Sequence, residues 1–221
     1  MKKVKSWVCL ILTAAMLLVL PACGGNGETA DSDSANSASG ETYTWRIAHN
    51  NAEDSQWQLN LLELSDLVKE ASGGQLVIEL YPNSQLGDDT AMCEMIRNGN
   101  LDMMVTGGEV PGRWYSPVNL MAMPYLFKDL DHLERCIYGE PGEIMAKGLS
   151  QAGLGVFDYW LRANRQILSK ELIETLDDMQ GLKIRVPETD IWIKSMESLG
   201  ANPTPVAFSE SFTALQQGVV D

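Results

Sequence analysis

From residue 45 onward, the sequence alternates between the hydrophobic period of strands and that of helices, and this alternation restricts the possible folds. Residues 45–49, 75–81 and 101–106 are typical of strands. Between them, apolar residues recur at helical spacing from Trp57 to Ala71, and a second helix is predicted to end at Arg97. Strand–helix–strand units of this length predict right-handed crossovers and a parallel sheet.

The second half of the chain repeats this order. Residues 155–160 and 183–186 are predicted strands, and residues 188–199 and 209–217 are predicted helices that end before glycines. Ligands of open α/β sheets bind beyond the carboxyl ends of the strands. We therefore expect any site to lie among the loops that follow the predicted strands.

The N-terminus has the features of a lipoprotein signal peptide. Three early lysines precede an apolar run over residues 8–20, which is too short to span a bilayer comfortably. Residues 20–23, Leu-Pro-Ala-Cys, resemble a lipobox, so residues 1–22 are predicted to be removed and Cys23 to be lipidated; an ordinary secretory signal is the alternative. Residues 23–40 are small and polar, which is typical of a flexible tether, so membrane contact would be through the lipid only.

The chain is strongly acidic, with 30 Asp and Glu residues against 16 Lys and Arg residues and a formal net charge of −14. This charge argues against binding to nucleic acid or to anionic lipid headgroups. It also repels an anionic ligand. An acid would therefore have to be held by arginines and backbone donors placed next to it.

The cysteines leave two outcomes open. Of the four in the chain, one falls in the predicted signal peptide and one is the predicted lipidation site. Cys93 and Cys136 remain, without metal-ligand spacing around them. They form either a disulfide in an oxidising compartment or two buried thiols.

The sequence contains few signs of catalysis. His49 and His132 are its only histidines, and it has no Gly-x-Ser-x-Gly elbow, Walker loop, His-Glu-x-x-His or Cys-x-x-Cys motif. Its acidic residues are scattered, mostly at helix starts and on faces predicted to be exposed. We therefore expect a protein that is not an enzyme and that needs no metal or cofactor. A secreted α/β hydrolase or lyase is the less favoured alternative.

Six segments resemble, in order and spacing, the DctP-type solute-binding proteins of tripartite ATP-independent periplasmic (TRAP) transporters. They cover residues 45–50, 74–89, 98–103, 124–127, 181–187 and 200–221. The most informative are Gly-Leu-Lys-Ile-Arg-Val-Pro, which ends at Pro187, and Ala-Leu-Gln-Gln-Gly-Val-Val-Asp, which ends at Asp221. The resemblance implies a two-lobed, periplasmic-binding-protein-like α/β fold with a ligand cleft between the lobes. We expect the first lobe over residues 41–164 and the second over residues 165–221.

The resemblance also implies a function. The protein would capture a small organic acid outside the cytoplasm, in the periplasm or at the outer face of the cytoplasmic membrane. It would hold the acid by closure of the lobes, without chemistry, and deliver it to the permease subunits of a TRAP transporter. A solute receptor for an ATP-driven importer or for a sensor kinase is the alternative within the same broad class.

The resemblance assigns the carboxylate clamp to Arg185. A guanidinium group forms two parallel charge-assisted bonds with a planar carboxylate. Pro187 prevents further ladder pairing, so the arginine side chain can project into a cleft. Arg165 matches a second, assisting arginine of the family; its alternative is a surface ion pair, and nearby Arg162 is the other candidate for the same position.

Three more residues match positions that contact the ligand in family members. Phe208 would pack against the ligand, or else lie in the core. Asn50 and Asp89 correspond to positions that reach hydroxyl or amine groups in some members, although Asp89 is alternatively the N-cap of its helix. Trp192, on the helix after the clamp arginine, is interpreted as a core residue.

The chain departs from the sialic-acid-binding members of the family after its third strand. Those members carry a Glu and, three residues later, an Arg, where this chain has Gly107 and Val110. The residue three past the clamp arginine, often Asn, is Glu188. We therefore expect a smaller ligand than sialic acid: a C4-dicarboxylate, a uronate or other sugar acid, or a keto acid.

Family sequences continue beyond the position of Asp221. The resemblance therefore implies a chain that is truncated at its C-terminus, with an incomplete second lobe. The missing part would supply a further Asn to the site and would cover apolar faces and sheet edges. We expect the 221-residue product to be poorly stable and to bind its acid weakly or not at all.

Overall fold

The computed structural model describes residues 41–221; the predicted signal peptide, Cys23 and the predicted tether lie outside the described residues. No helix within residues 41–221 is long and apolar enough to cross a membrane. The strands and α-helices of this part are β1 (Tyr43–His49), α1 (Gln56–Ala71), β2 (Leu76–Tyr81), α2 (Asp89–Arg97), β3 (Met103–Val105), α3 (Leu130–Ile137), α4 (Glu140–Gln151), β4 (Lys183–Val186), α5 (Asp190–Ser198), β5 (Asn202–Pro205) and α6 (Ser211–Gln216).

The first three strands form a parallel sheet of order β2-β1-β3. In its register, Trp45 lies opposite Ile78 of β2, and Ile47 lies opposite Met103 of β3. Because β1 is the central strand, its carboxyl end lies beside those of both neighbours. The parallel arrangement predicted from the alternation of strands and helices is confirmed for these strands.

Helices cover both faces of β1. Ile47 packs with Leu61 of α1, and Ala48 packs with Met92 of α2. All four side chains are buried. Since consecutive strand residues point to opposite faces of a sheet, these two contacts hold α1 and α2 on opposite sides. The loops before α1 and α2 are thereby fixed near the carboxyl end of the sheet.

A second parallel sheet consists of β4 and β5, and β5 is a strand that the sequence did not predict. Its sequence is Asn-Pro-Thr-Pro, and proline cannot donate to a ladder. The N–H of Asn202 bonds to the carbonyl before β4, and the N–H of Val206 bonds to the last carbonyl of β4. Pro203 and Pro205 take the alternate positions, whose N–H groups would point away from β4.

Residues 155–160 have no regular secondary structure, so the strand predicted there was wrong. No strand within residues 41–221 pairs with this segment. A strand forms only when a neighbouring strand completes its ladder of hydrogen bonds. The pattern of side chains indicates that a segment is compatible with a sheet, but it does not supply the partner.

The chain between β3 and α3 contains two short 3₁₀ helices, Val110–Arg113 and Ser116–Ala122. Val110 and Val118 pack in one cluster with Leu149 of α4. Tyr115 lies against Gly148, where a larger residue would overlap the tyrosine ring. This contact fixes the segment that follows β3. Val110 of this segment lines the pocket described below.

Both remaining cysteines are free. Cys93 is buried in the cluster beneath the 3₁₀ helices, and its sulfur lies 3.5 Å from that of Met104. Burial raises the pKa of the Cys93 thiol to about 12. Cys136 is only partly buried. Of the two alternatives, the buried thiol is therefore confirmed for Cys93 alone.

Gly148 provides a test of this packing. A Gly→Ala change usually stabilises a helix by about 1 kcal/mol, but Gly148→Ala should destabilise the fold by about 1–3 kcal/mol because the new methyl group overpacks the contact with Tyr115. Ser150→Ala, an exposed change on the same helix, is the control. Urea unfolding of both variants measures the difference. A Gly148→Ala protein as stable as the control would contradict this contact.

Candidate functional site

Four of the residues predicted to bind a ligand line a single pocket. Asn50 follows β1, Asp89 begins α2, Arg185 lies near the end of β4, and Phe208 follows β5. Each lies at or beyond the carboxyl end of a strand, where parallel sheets bind ligands. The pocket therefore forms where segments from both sheets meet.

Arg185 is held in place while its terminal nitrogens stay uncommitted. Its Nε donates a hydrogen bond of 2.8 Å to the Val206 carbonyl, and its Cζ lies 5.7 Å from the centre of the Phe208 ring. Neither Nη atom bonds to any residue in the described range. Burial lowers the pKa of Arg185, and the charge of Arg165 lowers it further. A partly desolvated guanidinium with free donors is suited to binding an anion.

Asp89 accepts two hydrogen bonds at the edge of the same pocket. Its Oδ1 accepts from Thr106 Oγ1 at 2.8 Å, and its Oδ2 accepts from Asn50 Nδ2 at 2.6 Å. Burial nevertheless raises the pKa of Asp89 above its ordinary value, against the effect of these bonds. The N-cap of α2 is Asp88, which accepts from the backbone N–H of Ala91. The interpretation of Asp89 as no more than an N-cap was therefore wrong.

Arg165 lies outside the lining of this pocket. Its Nη2 lies 3.3 Å from Oε1 of Glu109, and its Cζ lies 4.2 Å from the centre of the Trp192 ring. The side chain of Arg165 is 39% exposed, whereas that of Glu109 is 7% exposed. Arg165 thus already has a buried carboxylate as its partner. Its assisting role in ligand binding stays a prediction.

Glu109, the partner of Arg165, was not predicted from the sequence as a residue of the site. It lies in the loop directly after β3, and its carboxylate occupies the space above Gly107, where any side chain would collide with it. Acidic residues were expected to be solvated, and no motif marks this one. The only available signal was its position after the carboxyl end of a predicted strand.

Charged side chains also occur next to the two positions that differ from the sialic-acid-binding members. Gly107 and Val110 carry no charge, but Glu109 lies between them. Arg113 donates from Nη2 to the Glu188 carbonyl at 3.3 Å. The segment that follows β3 therefore supplies an acidic group at Glu109 and a basic group at Arg113, the last residue of the first 3₁₀ helix. The expectation of a smaller ligand stays a prediction.

The two aromatic residues have different surroundings. Phe208 lines the pocket and is 49% exposed, so the alternative of a core residue was wrong. Trp192 is 8% exposed and packs with Met179 and Val186, which confirms its interpretation as a core residue. Within residues 41–221, no group of three or more His, Cys, Asp and Glu side chains is placed to hold a metal ion.

The chain is similar to known proteins over most of the described part. The family model described as "Bacterial extracellular solute-binding protein, family 7" (DctP) matches residues 47–221. A solute-binding protein of Roseobacter denitrificans is 31% identical over 85% of this chain and 58% of its own length. The sialic acid-binding periplasmic protein SiaP of Vibrio cholerae is 34% identical over 72% of this chain and 50% of its own length. The chain thus spans about half the length of these relatives.

Solved structures give the same result for the fold. A TRAP periplasmic solute-binding protein of Roseobacter denitrificans with bound L-galactonate has a TM-score of 0.78 and 31% identity, over 83% of this chain and 61% of that one. One from a Sulfitobacter species with bound β-D-galacturonate has a TM-score of 0.77 and 29% identity, over 81% of this chain and 60% of that one. The expected two-lobed α/β fold is confirmed. The chain belongs to the DctP family of bacterial extracellular solute-binding proteins.

Proposed function

We propose that this protein captures a small organic acid outside the cytoplasm and delivers it to the permease subunits of a TRAP transporter. One observation carries the proposal. Asn50, Asp89, Arg185 and Phe208 come from four separate segments and line one pocket, in which the Arg185 Nη atoms have no partner among the described residues. An arginine held in this way presents its donors to a ligand carboxylate.

Arg185 and Phe208 would act together on the ligand carboxylate. The bond from Arg185 Nε to the Val206 carbonyl orients the guanidinium group. Its two Nη atoms then form parallel bonds to the two carboxylate oxygens. The Phe208 ring, beside the guanidinium, keeps water away from the pair. A lower local dielectric strengthens the attraction between the charges.

The pocket joins residues from both sheets, which suggests how capture is achieved. Asn50 and Asp89 belong to the part of the chain that forms the first sheet, and Arg185 and Phe208 flank the second. A ligand that contacts both sets stabilises the arrangement in which they are close. Capture would therefore follow from closure of the two lobes around the acid, without chemistry on the ligand.

The relatives support an organic acid as the ligand and a location outside the cytoplasm. Related proteins are named for binding 2,3-diketo-L-gulonate and C4-dicarboxylates, and several are named periplasmic. Similar solved structures hold β-D-galacturonate, L-galactonate and β-D-glucuronate. We extend these properties to this protein as part of the proposal. The finer features, a lipid on Cys23 and attachment to the membrane through that lipid alone, belong to the same proposal.

Removal of the Arg185 side chain tests the proposed function. In the complete gene product that contains this sequence, Arg185→Ala should weaken binding of L-galactonate or D-galacturonate by about 2–5 kcal/mol, roughly 30- to 5000-fold, because the ligand carboxylate loses its charged partner. Isothermal titration calorimetry measures the affinity.

Arg46→Ala is the matched control for this test. Arg46 pairs with Asp102 and does not line the pocket. Its replacement should leave the affinity unchanged. An Arg185→Ala protein that is folded and binds the acid within twofold of the wild-type affinity would remove Arg185 from the site.

Burial of Asp89 predicts a dependence of stability on pH. Because the folded-state pKa of Asp89 is raised by burial, folding is favoured by the protonated form, and this contribution is lost as pH rises through the folded-state pKa. Asp89→Asn has nearly the same shape and no charge. It should therefore unfold at a higher temperature than the wild type at pH 7, and the difference should shrink below about pH 4.

Asp102→Asn is the control for the stability measurement, since Asp102 is a partly exposed carboxylate in a surface pair with Arg46. Its effect at pH 7 should be small or slightly destabilising. Thermal unfolding of the two variants and the wild type at pH 7 and pH 4 provides the comparison. A gain for Asp89→Asn that is equal at both pH values would contradict the burial penalty.

A further inference from the structure

The segment that contains the two 3₁₀ helices, residues 109–122, contacts the packing of both sheets, and we call it the bridging segment. Val118 packs with Cys93 of α2, beside the first sheet. At the end of the segment, Ala122 packs against the cluster that contains Val186 of β4, in the second sheet. Movement of one sheet relative to the other therefore changes the contacts of the bridging segment.

Most of the bridging segment is packed on the helices of the first sheet. Arg97 of α2 lies over Trp114, with 5.5 Å between the Arg97 Cζ and the centre of the ring. Trp114 and Tyr115 pack against the cluster beside the first sheet, and Tyr115 also lies against Gly148 of α4. Arg113, next to Trp114, is therefore carried by the part of the chain that forms the first sheet.

Arg113 reaches from this segment to the end of the second sheet. Its Nη2 donates a hydrogen bond of 3.3 Å to the carbonyl oxygen of Glu188. Glu188 lies just after β4, which ends at Val186, and it lines the pocket together with Arg185. Because the acceptor is a backbone carbonyl, this bond requires neither the ligand nor the charge of the Glu188 side chain.

The bridging segment makes a second polar contact, from Glu109 to Arg165 at 3.3 Å. Arg165 is predicted to assist in ligand binding, so a change in that pair would alter two interactions at once. Arg113 has no such predicted role and lies outside the lining of the pocket. Its contact can therefore be tested without a change in the residues that bind the ligand.

The bond from Arg113 exists only while the carboxyl ends of the two sheets are close together. It therefore stabilises the arrangement in which Asp89 and Arg185 line one pocket, relative to an open arrangement. The bond is exposed to water, so its net contribution is modest and corresponds to about 3- to 10-fold in an equilibrium constant. A ligand that binds only the closed form gains affinity in proportion to the closed fraction.

Resting on the proposed function, we propose that Arg113 is a positioning residue that holds the two lobes together without contacting the ligand. Its bond to the Glu188 carbonyl forms in the absence of ligand, lowers the free energy of closure and slows the opening that releases the acid. The effect is the same for every acid that the site accepts, because the ligand takes no part in the contact.

Arg113→Ala tests this inference in the complete gene product that contains this sequence. The affinities for L-galactonate and D-galacturonate should both weaken about 3- to 10-fold and by the same factor, mainly through faster dissociation. Isothermal titration calorimetry measures the affinity, and stopped-flow fluorescence measures the dissociation rate. Arg113→Lys keeps a donor and should lose less than Arg113→Ala. Arg46→Ala, which breaks a surface pair with Asp102 in the part of the chain that forms the first sheet, is the matched control and should change neither quantity.

The ligand-free protein provides a second measurement that depends on no acid. Small-angle X-ray scattering should give a larger radius of gyration for ligand-free Arg113→Ala than for the ligand-free wild type. With saturating L-galactonate the two radii should be equal, because the ligand then holds the lobes closed.

These outcomes separate the inference from the proposed function. An unchanged affinity or an unchanged ligand-free radius in a folded Arg113→Ala protein would overturn the role of Arg113. Factors that clearly differ between the two acids would also overturn it, since they indicate a direct contact with the ligand. If the folded wild type binds neither acid, the proposed function fails, and the radii of the ligand-free proteins alone decide whether Arg113 holds the lobes together.

Discussion

Parallel strands bring their carboxyl ends to the same edge of a sheet, and the pocket depends on this constraint twice. In the first sheet, the pairing of β1 with β2 and β3 brings Asn50 and Thr106 to the two oxygens of Asp89. In the second, the pairing of β4 with β5 brings the Val206 carbonyl to Arg185 Nε. The first arrangement orients an acceptor and the second orients a donor. A change of register in either sheet would move these groups apart.

The attraction of an acid to the pocket would depend on individual charged side chains and not on the net charge of the chain. A chain of net charge −14 repels an acid at a distance, so under the proposed function the contact with Arg185 has to compensate at short range. Burial makes the Arg185 charge more effective because less water competes for it. Glu109 is paired with Arg165, and Asp89 accepts hydrogen bonds from Thr106 and Asn50 in the pocket lining. Under the proposed function, the Arg185 guanidinium attracts a carboxylate from within a pocket lining that also contains Asp88, Asp89 and Glu188.

Periodicity predicted the elements whose side chains alternate or repeat clearly. The strands β1 to β4 and the helices α1, α2, α5 and α6 were predicted in this way, with shifts of a few residues at their ends. The strand β5 was missed because it has prolines at alternate positions. Proline in a sequence usually argues against a strand, although it is compatible with an edge strand. The wrong strand at residues 155–160 had a suitable pattern but has no partner strand among the described residues.

The residues of the pocket could not be predicted from hydrophobic periodicity. Arg185, Phe208, Asn50 and Asp89 were identified by resemblance to a family, since nothing in hydrophobic spacing distinguishes them from surface residues. Their convergence on one pocket is a property of the fold. Glu109 escaped because a buried carboxylate is recognisable only from its surroundings, here Gly107 and Arg165. The hydrogen bonds that Asp89 accepts from Thr106 and Asn50 are likewise visible only in the structure.

The most direct test of this account is a crystal structure of the complete gene product with L-galactonate bound. The account predicts that both carboxylate oxygens lie within hydrogen-bond distance of the Arg185 Nη atoms and that a hydroxyl group donates to Asp89. A ligand whose carboxylate lies away from Arg185, or whose hydroxyl groups avoid Asp89, would contradict it.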